Sequence, residues 1–159
     1  METNPLIGIT LSNWDSQVKR ITTAFDNYKD EDMYLQVAPG RNRIIYILGH
    51  MTAVHDMLLP LLGLGERRYP NLDEFFITHP DSPETALPMP GELRTYWKDV
   101  NAAISAAFRQ LSAEEWLDRH TMVTPEEFEK EPHRNRFNVL LSRLTHISYH
   151  LGQLALVNK

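Results

Sequence analysis

The chain has 159 residues, no cysteine, and 16 Lys and Arg against 21 Asp and Glu, a formal net charge of −5 at pH 7 with His neutral. This length is typical of one domain, so we expect residues 1–159 to form a single domain. The acidic balance, without a dense basic run, argues against a nucleic-acid partner. The absence of cysteine excludes a disulfide framework, Cys-ligated zinc and a cysteine nucleophile.

The apolar runs are too short for a membrane span. Ile44 to Leu48 and Leu58 to Leu62 fall well short of the roughly 20 residues that cross a bilayer. Residues 1–12 contain no Lys or Arg and only a brief apolar patch, which differs from a secretory signal. We therefore expect no membrane insertion and a cytoplasmic location.

Four segments have the apolar spacing of amphipathic helices, and no segment of comparable length alternates like a half-buried strand. In the first segment, Thr10 or Ser12 is a candidate N-cap. The apolar residues that follow recur at steps of three and four, as in a bundle helix, and they are Trp14, Val18, Ile21, Phe25 and Tyr28.

The second predicted helix runs from about Arg41 to Leu62, after the helix breaker Pro39-Gly40. Steps of three and four from Ile47 to Val54 place His50 beside the apolar side, with its imidazole pointing inward. The segment from Gly63 to Pro90 is long for a bundle connection. We interpret it as a packed surface loop, with a functional lid or ligand wall as the alternative.

The third predicted helix follows Pro90, a favourable first-turn residue. After it, Ser112 and Thr124 each begin a capping-box pattern, which predicts two short helices in the connector. The fourth helix begins near Asn135, a suitable N-cap, and continues without proline. The sequence therefore predicts an all-α fold, a four-helix bundle with long connections.

The fourth helix has two apolar or mixed faces. Its main stripe consists of Phe137, Leu140, Leu144, Ile147, Leu151 and Leu154. His146 and His150 lie on the second face with Val139, Gln153 and Val157. We expect one face to serve the core and the other to serve a pocket or a subunit contact.

His146 and His150 form an i, i+4 pair that can chelate one metal ion from a single helix face. Neutral imidazole is a ligand for zinc, nickel, copper and iron. A lone buried histidine such as His50 is more often a hydrogen-bonded core residue. His55 is interpreted as a pocket-wall or surface residue, and no role is assigned to the connector histidines, which are His79, His120 and His133.

Two rival metalloenzyme patterns are missing. A zinc protease helix carries His-Glu-x-x-His, whereas Ile147 follows His146 here. Carboxylate-bridged di-iron bundles need Glu-x-x-His pairs, and none occurs in the sequence.

Two stretches of the chain resemble one known family. Residues 38–50 read Ala-Pro-Gly-Arg-Asn-Arg-Ile-Ile-Tyr-Ile-Leu-Gly-His and end at His50, and residues 145–153 read Thr-His-Ile-Ser-Tyr-His-Leu-Gly-Gln. Together they resemble the DinB-like superfamily (DinB/YfiT-like), over nearly the whole chain. The resemblance implies a DinB/YfiT-like helical bundle in which His50, His146 and His150 hold one metal ion.

The chain departs from the family pattern at two positions. Many members carry His-His-x-Gly-Gln at the end of the triad, whereas Tyr149 stands here in place of the first of those histidines. Leu151 occupies the position where Arg is common. The resemblance therefore carries over the ligand His150 but not the anion contact of that Arg.

The resemblance implies a function for such a site. Similar proteins include thiol-dependent transferases and isomerases and hydrolase-like members, so we expect one divalent ion (zinc, nickel or iron), a small-molecule substrate and a low-molecular-weight thiol as candidate cofactor. The alternative is a non-catalytic metal-binding or stress-response interaction protein. We expect a homodimer. No catalytic residue is assigned, and only helical proximity makes Tyr46, Asp56, Tyr149 and Gln153 candidate neighbours of the site.

Overall fold

The computed structural model of the chain describes residues 4–157. Within that range the chain forms seven helices, namely α1 (Pro5–Asp26), α2 (Ile44–Asp56), α3 (Leu58–Leu61), α4 (Pro90–Phe108), α5 (Ala113–Leu117), α6 (Pro125–Lys130) and α7 (Arg136–Leu154). The same range contains two isolated bridges and no sheet. The predicted all-α class is confirmed.

Helix α1 begins earlier than the sequence predicted. Asn4 is the N-cap, and its Oδ1 accepts a hydrogen bond from the backbone N–H of Leu6. Pro5 occupies the first turn, where its missing N–H removes no hydrogen bond. The predicted caps Thr10 and Ser12 were therefore wrong, because both lie inside the helix, where the Thr10 hydroxyl donates to the Leu6 carbonyl.

Helix α2 is the central helix of the bundle and is shorter than predicted. It begins only at Ile44 because Arg43 has an extended backbone at the N-cap. It ends at Asp56, and after Met57 the chain continues as the single turn α3. Every residue of α2 except His50 is buried.

The long helices of the bundle run in two directions. Thr22 of α1 accepts a hydrogen bond from Trp97 of α4 at 2.7 Å, while Asp15 pairs with Arg109 at 3.1 Å, so α1 and α4 are antiparallel. Tyr28, just beyond the end of α1, donates to the carbonyl of Leu154 at the end of α7, so α1 and α7 run in parallel.

Helices α2 and α4 run in the same direction, and this arrangement explains the long connection. The ring of Trp14, in the first half of α1, stacks on His55, near the end of α2, so α2 is antiparallel to α1, as α4 is. A chain that leaves one of two parallel helices must return along the bundle before it enters the other. Residues 57–89 make this crossover along the 13 residues of α2, which span about 20 Å.

The crossover is an ordered, packed segment. Asp81 pairs with Arg43 and also accepts the backbone N–H of Arg43, and both side chains are less than a tenth exposed. Asp56 accepts the backbone N–H groups of Arg68 and Tyr69 and pairs with Arg67. These contacts fix both ends of the crossover against α2.

The helices share one hydrophobic core. Its largest fully buried side chains are Trp14, Trp97, Trp116, Phe25, Phe76 and Phe108. The segment Ile44–Leu61 has the length and mean hydropathy (1.4) of a membrane span, but 78% of it is buried inside the bundle. That burial is the pattern of a core helix in a soluble protein.

Candidate metal centre

Helices α2 and α7 bring His50, His146 and His150 together. The Nε2 atom of His146 lies 3.4 Å from Nε2 of His50 and 3.0 Å from Nε2 of His150. One ligand nitrogen from each ring lies within 4.8 Å of the others. Among the described residues, no carboxylate joins this group.

The spacing of the three rings fits a metal ion. Two imidazole nitrogens bound at about 2.0–2.1 Å stand about 3.3 Å apart in a tetrahedral site and about 2.9 Å apart in an octahedral one. The two Nε2 separations, 3.0 and 3.4 Å, fall in this range. A cation bound by one nitrogen of each ring would hold the three rings at this spacing.

Hydrogen bonds fix the tautomers of two of the histidines. Nδ1 of His50 lies 2.9 Å from the carbonyl of Phe76. A carbonyl can only accept, so Nδ1 carries the proton and Nε2 keeps its lone pair. Nδ1 of His150 makes the same contact with Oε1 of Gln153 at 2.8 Å. Contacts of this kind orient metal-binding histidines and increase their basicity.

The crossover supplies the hydrogen bond to His50. Glu74–Thr78 forms a short π-helical segment, and the buried Phe76 projects from it onto α2. Its ring lies against Gly49, where an added Cβ would stand 2.3 Å from ring carbons. Glycine at this position therefore allows Phe76 to approach closely enough to hold His50.

The two histidines of α7, His146 and His150, are neutral at physiological pH. Burial, together with the nearby His150, His50 and Arg143, lowers the pKa of His146 to about 4. Burial likewise lowers the pKa of His150 to about 4, against the opposing effect of its hydrogen bond with Gln153. Metal binding at these two residues would therefore require no deprotonation at pH 7.

Aromatic side chains flank the three histidines. Tyr46 stacks parallel to His50, with 6.3 Å between the ring centroids, and its hydroxyl donates to the carbonyl of His79 at 2.7 Å. Tyr149 packs its ring edge on His150. Gln153 donates to the Tyr149 hydroxyl at 3.2 Å while accepting from His150. Three of the four candidate neighbours named from sequence thus contact a histidine of the group directly.

The fourth candidate neighbour has a structural role instead. The carboxylate of Asp56 is fully buried and is satisfied by Arg67 and two backbone N–H groups. Asp56 therefore fixes the crossover against the end of α2 and does not contact the histidine group.

The interpretation of His55 as a pocket-wall or surface residue was wrong. Its side chain is fully buried between the rings of Trp14 and Trp97, and Nδ1 lies 2.8 Å from Oδ1 of Asn101. His55 lies five residues after His50, about 140° around the helix, and α2 has no solvent side at that angle because the bundle surrounds it. The connector histidines His79 and His133 are exposed.

Sequence reasoning missed two residues that support the site. No helical pattern covers the crossover, so the carbonyl of Phe76 could not be assigned to His50. Gly49 carried a weak signal, because a glycine inside a buried helix often marks a close contact. Sequence reasoning also gave no role to Arg143, which precedes His146 by three positions and lies on the same helix face.

Comparison with known proteins places this bundle in a family. The sequence profile of the DinB superfamily matches residues 13–154. A crystal structure of a conserved protein from Enterococcus faecalis aligns over 93% of this chain and 92% of that chain, with a TM-score of 0.64 and 17% identity, and so shares the fold. None of the curated proteins matches the sequence. Because the profile extends from α1 to the end of α7, the chain belongs to the DinB superfamily.

Proposed function

We propose that the protein holds one divalent metal ion through His50, His146 and His150. We propose further that it uses the ion in a transferase or hydrolase reaction on a small molecule. The convergence of three Nε2 atoms, two of them in rings oriented through Nδ1, supports this proposal most directly. The same proposal includes a cytoplasmic location, a homodimer and no nucleic-acid partner.

The site has the ligand number of a catalytic centre. Three protein ligands leave at least one coordination position for a reactant, whereas structural sites are usually closed by four. His50 and His146 are only half-buried, so a small molecule can approach from their side. A divalent ion bound here would lower the pKa of a coordinated water or thiol toward neutrality.

The residues around the ligands orient the site. Phe76 and Gln153 hold the rings of His50 and His150 so that Nε2 of each faces the shared point. Tyr46 covers one face of His50. In the described part of the chain no acidic side chain joins the histidine group, which suits a reaction whose nucleophile is a separate thiol or water.

Metal content tests the first half of the proposal. Protein purified without chelator should contain about one equivalent of zinc, nickel or iron by elemental analysis. His50→Ala should abolish it, because two ligands on one helix bind weakly. His79→Ala, which removes an exposed histidine, is the matched control and should leave the content unchanged. No metal in the unmodified protein, even after incubation with each ion, would refute the site.

Thiol conjugation tests the second half. Metal-loaded protein is incubated with a small electrophile and a panel of cellular thiols, and the same assay is repeated with His146→Ala. Conjugation that is lost in the variant supports a thiol-dependent transferase. Hydrolysis of ester or amide substrates with the same dependence on His146 supports a hydrolase. If the protein binds metal but turns over none of these, the non-catalytic alternative replaces the enzyme.

A further inference from the structure

Arg143 lies on the histidine face of α7. It precedes His146 by three residues and His150 by seven, so the three side chains follow one stripe of the helix. The side chain is half-buried. Its Nε atom is buried and has no hydrogen-bond partner.

The other arginines with limited exposure all have partners. Each of them pairs with a carboxylate in the described structure, and they are Arg43, Arg67, Arg94, Arg134 and Arg136. Among the described arginines that are not exposed, Arg143 alone makes neither an ion pair nor a hydrogen bond. A desolvated cation without a partner is destabilising, so such groups are usually paired.

The charge of Arg143 acts on the histidine group. Burial lowers the pKa of Arg143, and no carboxylate opposes that effect. A guanidinium nevertheless stays protonated at neutral pH. Because Arg143 lies three residues before His146 on the same face of α7, it lies beside the candidate metal centre, and its positive charge lowers the pKa of His146. The centre is thus a group of three imidazoles beside one cation that has no carboxylate partner.

We propose that Arg143 binds a carboxylate of the small molecule that reacts at the metal centre. The Nη–H groups of a guanidinium form two parallel hydrogen bonds with a carboxylate, and the Nη groups of Arg143 make no hydrogen bond in the described structure. Side chains three residues apart on a helix have Cβ atoms about 5–6 Å apart. A ligand that carries its carboxylate a few bonds from its metal-binding atom can reach both groups.

This inference rests on the proposed function for the identity of the ligand. Its test can nevertheless fail or succeed independently of metal binding. Chelator-treated protein is titrated with succinate by calorimetry, so no metal is involved. Succinate should bind the unmodified protein and should bind Arg143→Gln at least tenfold more weakly. Arg143→Lys should retain part of the affinity. Equal affinity in the unmodified protein and Arg143→Gln, or no binding to either, would overturn the role of Arg143.

A second measurement uses cobalt-loaded protein and two thiols of similar length. 3-Mercaptopropionate carries a carboxylate and 1-propanethiol does not, and both are followed by the cobalt–thiolate absorption band. Arg143→Gln should weaken binding of the first at least tenfold and leave the second unchanged. An equal change for both thiols would contradict the carboxylate contact. If the protein takes up no cobalt, the proposed function fails, and the calorimetric titration still decides the role of Arg143.

The stability of the variant provides the control for folding. Because the charge of Arg143 is unpaired, Arg143→Gln should melt at the same temperature as the unmodified protein or higher. Arg109→Gln is the matched control at the C-cap of α4, where the exposed Arg109 pairs with Asp15, and it should leave both ligand affinities unchanged. A lower melting temperature for Arg143→Gln, together with unchanged succinate affinity, would assign Arg143 a structural role and refute the proposal.

Discussion

His55 lies in the hydrophobic core as a neutral imidazole. Nδ1–H donates to Oδ1 of Asn101, whose amide nitrogen in turn donates to the carbonyl of Trp97. Nε2 is buried and has no partner in the described structure. Protonation would place an N–H without an acceptor between two Trp rings, and burial accordingly lowers the pKa of His55 to about 3.

The first prediction concerns the pH dependence of stability. In the unfolded chain His55 regains a pKa near 6.5, so between pH 6.5 and about 3 the unfolded state binds a proton that the folded state does not. The contribution of neutral His55 to the free energy of unfolding is complete above pH 6.5 and is lost as the pH falls. At pH 5 the loss amounts to about 2 kcal/mol. The free energy of unfolding is measured in urea at pH 7 and pH 5 with chelator present. The difference between the two pH values should be about 2 kcal/mol smaller for His55→Gln than for the unmodified protein.

The exposed His79 provides the control for this measurement. His79→Gln removes an exposed histidine outside the core and should keep the difference in unfolding free energy between the two pH values. His146 and His150 also resist protonation when folded. They contribute equally to all three proteins and therefore cancel in the comparison. If His55→Gln had the same pH dependence of stability as the unmodified protein, His55 would not be the neutral core imidazole described above.

At the scale of single elements, the sequence predicted what depends on local chemistry. Ser112, Thr124 and Asn135 cap α5, α6 and α7 as expected, because each side-chain oxygen accepts a nearby backbone N–H. The start of α1 was missed because Asn4-Pro5 precedes the apolar pattern. The N-terminal limit of α2 depends on Asp81, which lies 38 residues away and cannot be read from a helical repeat.

The convergence of the histidines was only partly predictable. The i, i+4 spacing places His146 and His150 on one face of α7 without knowledge of the fold. The addition of His50 depended on family resemblance, because no sequence period relates α2 to α7. The Phe76 carbonyl was unpredictable for the same reason, since it depends on how the crossover packs.

The second prediction tests the contact between the crossover and α2. Gly49→Ala places a methyl group 2.3 Å from the Phe76 ring, so the ring must shift and carry its carbonyl away from His50. Overpacking of this kind destabilises by about 1–3 kcal/mol. Loss of the supporting hydrogen bond should weaken metal binding about 10–100-fold. Urea unfolding and competition with a colorimetric zinc chelator measure the two effects.

Gly152→Ala is the matched control for this substitution. Gly152 also lies inside a helix, but an added Cβ meets nothing within 4 Å. Alanine should therefore stabilise the helix by up to about 1 kcal/mol and leave zinc affinity unchanged. If Gly49→Ala and Gly152→Ala had the same effects, the close packing of Phe76 would have no role in the site.

For the molecule as a whole, a bound ion would join two helices that touch each other sparsely. Helix α2 packs mainly on α4, and α7 packs mainly on α1. Among the described residues, the histidine group is the polar link between α2 and α7. Metal binding should therefore affect global stability as well as chemistry.

The third prediction follows from that link. A ligand that binds only the folded state at a hundred times its dissociation constant stabilises that state by about 2.7 kcal/mol. Zinc should accordingly raise the melting temperature of the unmodified protein in scanning calorimetry. His146→Ala should show no rise under the same conditions. A rise of equal size in the variant would mean that zinc acts at another place.

His50 and His146 are separated by 96 positions in the chain. Closing a loop of that length costs about 4 kcal/mol in chain entropy beyond the constant that applies to any loop. Before the chain has folded, a cation can bind at most the i, i+4 pair of α7. The third imidazole, that of His50, becomes available only when α2 has packed against α7. Full metal occupancy would therefore report that folding is complete, and a misfolded copy would be recognisable by its failure to retain the ion.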